Sequence, residues 1–152
     1  MKLKCDFSFY LSRQEDGFYD FNLLQKDLAG NESSPLLIHW TKDSRVPPAP
    51  VIMSPVETLS YSKSSDLEVG GSCEDGYQIT LSGLSADELK NQSFNATQDC
   101  LDHSWLFTIK NLSEGTKELS FIQSNPINSF GSNPAKILRI VDKTPPPAPE
   151  FL

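Results

Sequence analysis

Pro47-Pro48-Ala49-Pro50 recurs as Pro146-Pro147-Ala148-Pro149, and the interval of 99 positions sets the scale on which this chain can fold. What precedes each copy recurs too. Asp43 and Asp142 each stand seven residues before the last proline of their copy. Phe7, Phe9 and Leu11 are matched by Trp105, Phe107 and Ile109. Gly17 is matched by Gly115, and Phe21, Leu23 and Gln25 by Leu119, Phe121 and Gln123, all at an interval of 98. One extra residue between Gln123 and Pro134 accounts for the step from 98 to 99. A period this long is a domain rather than a solenoid repeat. The expected organisation is therefore the C-terminal half of one unit over residues 1–46, a complete unit over 47–145, and the start of a third over 146–152.

The strand signals fit that division. Phe7, Phe9 and Leu11 lie at period two within residues 6–12, the pattern of a half-buried strand. Residues 18–25 alternate again and residues 36–42 supply a third strand. In the complete unit, residues 51–53, 66–73 and 77–82 read as strands, the last two as a hairpin around Glu74-Asp75-Gly76. Residues 104–110, 116–124 and 136–142 repeat the first three strands, with a bulge expected in the last because its apolar residues match at either 99 or 100. Ser85 three residues before Glu88 caps a helical turn or lies in a loop. About seven short strands in about 100 residues, with no long helix, give an all-β fold: an immunoglobulin-like β-sandwich. An isolated antiparallel barrel is the alternative.

Composition narrows function. A net charge of −7 and a pI near 4.7 argue against nucleic-acid binding, which needs a basic face, and against adsorption to anionic membranes. No stretch is long and apolar enough to insert into a bilayer as a helix.

The run from Gln25 to Ser33, containing Asp27-Leu28-Ala29-Gly30-Asn31, resembles the D-x-A-G-N-x-S loop of the tandem immunoglobulin-like repeats of large bacterial surface proteins and adhesins. Val141-Asp142-Lys143-Thr144-Pro145-Pro146 resembles their closing D-x-T-P-P motif. Gly71-Ser72-Cys73-Glu74-Asp75-Gly76 is similar to the G-x-C-x-x-G turn of a cysteine-bearing subset. The second unit departs at its loop, where Asn125 stands in place of Asp27, so no role of Asp27 is expected to carry over. The resemblance implies an extracellular or bacterial cell-surface location. It also implies neighbouring repeats in the same chain as partners, with a host or surface glycan or protein as a further partner.

Cys73 closes the second strand of the sandwich and Cys100 precedes the fifth; those strands are sheet neighbours whose ends share a pole. A Cys73–Cys100 disulfide is the expected pairing, with two buried free thiols in a reduced compartment as the alternative. Cys5 sits where Cys100 sits in the full unit, its partner then lying in a strand outside this sequence.

No catalytic constellation is visible. There is no C-x-x-C pair, no glycine-rich phosphate loop and no H-E-x-x-H, and His39 and His103 read as surface or packing residues. The acids at the joint are the candidate site. Glu15 and Asp16 in one turn, Asp43 in the linker, and Glu74 and Asp75 in another turn are expected at one pole-to-pole contact. Calcium, a hard cation that takes oxygen ligands, is the cofactor such a set would hold. Solvated turn acids are the competing reading. The expected function is a non-enzymatic stalk, spacer or adhesion segment. The alternative is an accessory carbohydrate-binding module of a secreted hydrolase, using exposed aromatics such as Tyr61 or Tyr77.

Overall fold

The computed structural model describes residues 8–150, and the chain divides into two units, Met1–Ser44 and Arg45–Leu152. The described part of the first unit holds two strands, β1 (Gly17–Leu23) and β2 (Leu36–Lys42), paired antiparallel from Gly17↔Lys42 to Leu23↔Leu36. Their alternation places Tyr19, Phe21, Leu23, Ile38 and Trp40 half-buried on one face, with Phe18 and Asn22 exposed on the other. The strand expected at 6–12 does not form over its described residues, 8–12. Residues 6 and 7 lie outside the described residues. The corresponding strand of the second unit is ordered by pairing with a sheet neighbour. A strand without a ladder would leave its backbone groups to solvent.

The second unit is the sandwich. Its strands are β3 (Val51–Ser54), β4 (Leu59–Ser62), β5 (Leu67–Ser72), β6 (Gln78–Ser82), β7 (Thr97–Asp99), β8 (Ser104–Ile109), β9 (Gly115–Ser124) and β10 (Ala135–Val141). One sheet has the order β3-β5-β8 and the other β4-β10-β9-β6-β7. All pairings are antiparallel except β4 with β10, which is parallel. This is an immunoglobulin-like β-sandwich. The sequence reading misses the short strands β4 and β7: β4, Leu-Ser-Tyr-Ser, alternates over only four residues with its apolar side chains exposed, and β7, Thr-Gln-Asp, has no apolar residue. β5 and β6 are not a hairpin. They lie in different sheets, and the Glu74-Asp75-Gly76 turn, with Gly76 at φ +79, carries the chain across. Nor does β10 contain a bulge: Phe121↔Ala135 through Gly115↔Val141 run unbroken, which settles the interval at 99.

The nine core residues that the alternation picks out are all buried: Leu67, Val69, Ile79, Leu81, Trp105, Phe107, Ile109, Leu119 and Phe121. Ile137, Val141 and Leu112 complete the cluster. Trp105, Phe107 and Phe121 meet with ring centroids 4.8–6.0 Å apart, so aromatic packing spans both sheets. Gly71 lets β3 approach β5, because a Cβ there would collide with the Val51 carbonyl.

The serine–glutamate pair does form a helix, α1 (Ala86–Lys90), closed by a capping box between Ser85 and Glu88. Burial works against the Glu88 charge. The Lys117 ammonium at 2.8 Å, with Ser85 and Ser113, more than offsets it and holds the carboxyl well below the usual carboxylate range. That carboxylate ties α1 to the turn before β9.

Replacing Phe107 by Ala should lower unfolding free energy by about 3–5 kcal/mol, read by urea titration. A loss below about 1 kcal/mol would mean that the two sheets do not depend on this contact.

Candidate functional site

The loop after β9 is built on hydrogen bonds that the first unit repeats. In the second unit Ser132 closes it: the Gln123 N–H donates to Ser132 Oγ at 3.0 Å, the Ser132 N–H donates to the Gln123 carbonyl at 2.8 Å, and Ser132 Oγ donates to the Asn133 carbonyl. In the first, the Gln25 N–H donates to Ser33 Oγ at 3.0 Å, the Ser33 N–H to the Gln25 carbonyl at 2.9 Å, and Ser33 Oγ to the Ser34 carbonyl. The isolated bridge Lys26↔Glu32 has its counterpart in Ser124↔Gly131.

Asp27 and Asn125 do share a role, contrary to the sequence expectation. Each Oδ1 accepts the N–H two residues on, from Ala29 and from Ile127, both at 2.9 Å. This is a side-chain turn that either residue can make. The difference lies in the rest of the head group. Asp27 takes the Asn31 amide on its second oxygen, and Asn31's side-chain and backbone donors hold its carboxyl below the ordinary value. Asn125 instead directs its own Nδ2 at the Tyr77 hydroxyl, 3.5 Å away. The extra residue of the second unit therefore falls between Asn125 and Phe130, whose backbone bond (Asn125 N–H to Phe130 carbonyl, 3.0 Å) matches Asp27 N–H to the Asn31 carbonyl, 3.0 Å.

The same loop and strand seat the peptide leading into the second unit. Gln123 is 1% exposed. Its Oε1 accepts the Glu74 N–H at 2.8 Å and its Nε2 donates to the Pro48 carbonyl at 3.3 Å. Asn128 Nδ2 donates to the Arg45 carbonyl, and the Arg45 guanidinium donates to the Tyr77 hydroxyl at 3.1 Å. Pro47 and Pro50 are buried.

A second device holds the chain that leaves each unit. In the first, Asp16 accepts the Ser44 N–H at 3.0 Å and its hydroxyl at 2.9 Å, with the Lys42 ammonium at 3.2 Å. In the second, Glu114 accepts the Lys143 N–H at 3.2 Å and the Thr144 hydroxyl at 2.8 Å. The Ser44 backbone and hydroxyl donors hold the Asp16 carboxyl below its ordinary value, and the Thr144 hydroxyl followed by the Lys143 N–H does the same for Glu114. The signal for this carboxylate latch was present in the sequence, since Asp16 and Glu114 precede Gly17 and Gly115 at the interval of 98.

The acids picked out as calcium ligands are placed as follows. Asp16 is committed within its own unit to Ser44 and Lys42. Glu15 is exposed, and its carbonyl accepts the Tyr19 hydroxyl at 2.8 Å. Asp43 follows β2 directly. Glu74 and Asp75 occupy the β5–β6 turn, Asp75 Oδ1 lying 3.5 Å from the His103 N–H. Within each unit, among the described residues, no three His, Cys, Asp or Glu side chains gather as a metal-holding group. Calcium takes six to eight oxygens, and Asp16 Oδ1 has the Lys42 ammonium at 3.2 Å.

Cys73 and Cys100 form a disulfide with a Cα–Cα distance of 6.0 Å. Backbone bonds fix both ends: Cys73 N–H to the His103 carbonyl at 3.1 Å, and Cys100 N–H to the Tyr77 carbonyl at 2.7 Å. Cys5 lies outside the described residues. His39 is an exposed β2 residue paired with Asp20 across the ladder at 2.6 Å. Tyr77 serves the linker, whereas Tyr61 is 71% exposed on β4.

No family model matches this chain, and no curated protein matches it. Among solved structures, the D00-D0 domain of Intimin aligns with 81% of this chain at 14% identity and a TM-score of 0.34. The chain spans 64% of that structure's length.

Two outcomes are expected. Reducing the disulfide, whose ends are 27 residues apart, should cost about 3–4 kcal/mol in the chain-entropy account, seen as a lower urea midpoint with dithiothreitol. Glu114 should control the exit peptide through pH. Because its folded pKa is depressed from 4.5, its contribution is present above that value and lost as pH falls through the lower folded one. Amide protection at Lys143 and Thr144 should therefore fall on acidification below about pH 4.5. In Glu114→Gln, protection that still varies with pH in the same way would assign the effect to another group.

Proposed function

We propose that this chain is a non-enzymatic segment of a bacterial cell-surface or secreted protein built from tandem immunoglobulin-like units, serving as a stalk or in adhesion. One observation carries the reading. The ladder of β1 with β2 reappears in β9 with β10, pair for pair, when 98 is added to the first strand and 99 to the second. Tyr19↔Trp40 becomes Lys117↔Arg139, Phe21↔Ile38 becomes Leu119↔Ile137, and Leu23↔Leu36 becomes Phe121↔Ala135. The serine-closed loop and the carboxylate latch recur with it. A chain that repeats its hydrogen bonds at domain spacing supports serial units. A disulfide supports an oxidising location.

In this reading each unit holds the chain at both ends, and a proline spacer between holds limits bending, since proline fixes its own φ and restricts the residue before it. Adhesion, where it occurs, belongs to partners met along the series of units.

A second reading is favoured by one feature. Tyr19, Phe21 and Trp40 form a cluster of mutually tilted rings with centroids 5.8–6.4 Å apart, and the Arg13 guanidinium lies over Tyr19 and Phe21. A half-buried aromatic cluster can offer a ring face to a sugar, which is the accessory carbohydrate-binding role. The ladder correspondence weighs against it at Phe21, whose counterpart Leu119 is core, whereas Tyr19 and Trp40 correspond to the half-buried Lys117 and Arg139.

The readings separate experimentally. Intact producing cells should lose the protein to external protease, and the protein should be recovered with Cys73 and Cys100 oxidised. Recovery from cytosol with both thiols free would overturn the surface reading. Saturable binding to a glycan array, abolished by Trp40→Ala, would favour the carbohydrate module instead.

A further inference from the structure

The same tetrapeptide occurs in this chain in two states. Pro47 and Pro50 are buried, whereas Pro146 and Pro149 are exposed. What buries the first copy is specific: the Gln123 amide donates to the Pro48 carbonyl, and the Asn128 amide donates to the Arg45 carbonyl. Both grips read backbone oxygens, so what they demand of the ligand is an extended shape with carbonyls presented. Proline supplies that shape in advance, because its fixed φ favours polyproline II and little order remains to be imposed. At the interval of 99, the matching carbonyls of the second copy are those of Pro147 and Thr144. Glu114 already holds the chain at Lys143 and Thr144.

We propose that Pro146-Pro147-Ala148-Pro149 is a docking peptide. Its partner is a sandwich unit following in the same chain, with a glutamine in the place of Gln123 and an amide donor in the place of Asn128. This rests on the tandem-unit reading and adds the receptor that the second peptide fits. The first unit retains part of that receptor: Gln25 stands at the matching position, with the same serine closure by Ser33. The restriction to a following unit comes from the seated copy. Pro50 leads directly into β3, whose Val51 and Ile52 pair with Ser72 and Gly71 of β5. The peptide is thus seated as the lead-in of the unit that grips it, where tethering gives an effective concentration on the order of millimolar without a separate binding event.

The test joins a second copy of residues 51–145 to residues 1–149 and compares the product with the 152-residue chain by ¹⁵N relaxation. Ala49 and Ala148 supply the reporter amides. In the unextended chain Ala148 should show the low heteronuclear NOE of a mobile segment and Ala49 the high value of a seated one. In the extended chain Ala148 should rise to the Ala49 value. The variant with Ala in place of the appended copy's glutamine should bring it back down. The appended copy's counterpart of Asn128→Ala provides the same readout if the glutamine variant does not fold. An Ala148 that stays mobile beside a well-dispersed, folded appended unit overturns the proposal, and does so without touching the surface-location test of the tandem reading. Ordering of Ala148 in the unextended chain that grows with protein concentration also overturns it, since the receptor would then be another molecule.

Discussion

A buried amide side chain costs free energy unless its donors and acceptor are satisfied, and the way Gln123 is satisfied binds together parts that the core alone would leave independent. Its backbone pairs with Ile79 of β6 and closes the loop on Ser132. Its Oε1 accepts the Glu74 N–H of the turn between the sheets and its Nε2 donates a hydrogen bond to the Pro48 carbonyl. The inter-sheet core positions β9. Gln123 then converts that position into a position for the entering peptide, so seating the linker is a consequence of folding the sandwich.

The recurrence in this chain is a recurrence of hydrogen bonds more than of residues. Asp27 becomes Asn125, Asp16 becomes Glu114, and Ser44 divides its work between Lys143 and Thr144, yet each oxygen still meets the corresponding donor. The extra residue of the second unit is absorbed between two fixed backbone bonds, where a loop can lengthen cheaply. Side chains in such loops are interchangeable when the geometry asks only for an acceptor. They differ when a donor is also needed, as Asn125 shows at Tyr77.

The sandwich and its central core were legible in the sequence because period-two alternation and turn chemistry agree over Leu67–Val69, Ile79–Leu81, Trp105–Ile109 and Leu119–Phe121. The disulfide was legible because the fold places the two strand ends at one pole. What escaped were the shortest elements, β4 and β7, which bury no apolar residue, and the sheet change at Glu74-Asp75-Gly76, since a tight turn reads alike within and between sheets. A second role of Asp16 was legible from the repeat: it has Lys42 and two Ser44 donors inside its own unit, and the interval of 98 pairs it with Glu114.

The two copies of the ribbon also show where a common scaffold is free to vary. At one ladder position the second unit has Lys117 opposite Arg139 and the first has Tyr19 opposite Trp40. Lys117 reaches the buried Glu88 of α1, and Arg139 Nη1 donates to Ser60 Oγ of β4 at 3.0 Å. Those residues are therefore fitted to the helix and the edge strand of that unit. In the first unit the aromatic pair, 5.8 Å apart, extends the apolar face of Phe21 and Ile38 instead. The ladder fixes where the side chains stand, and the layer packed against it decides which side chains are kept. The loop bonds recur in both ribbons while the side chains at this ladder position do not.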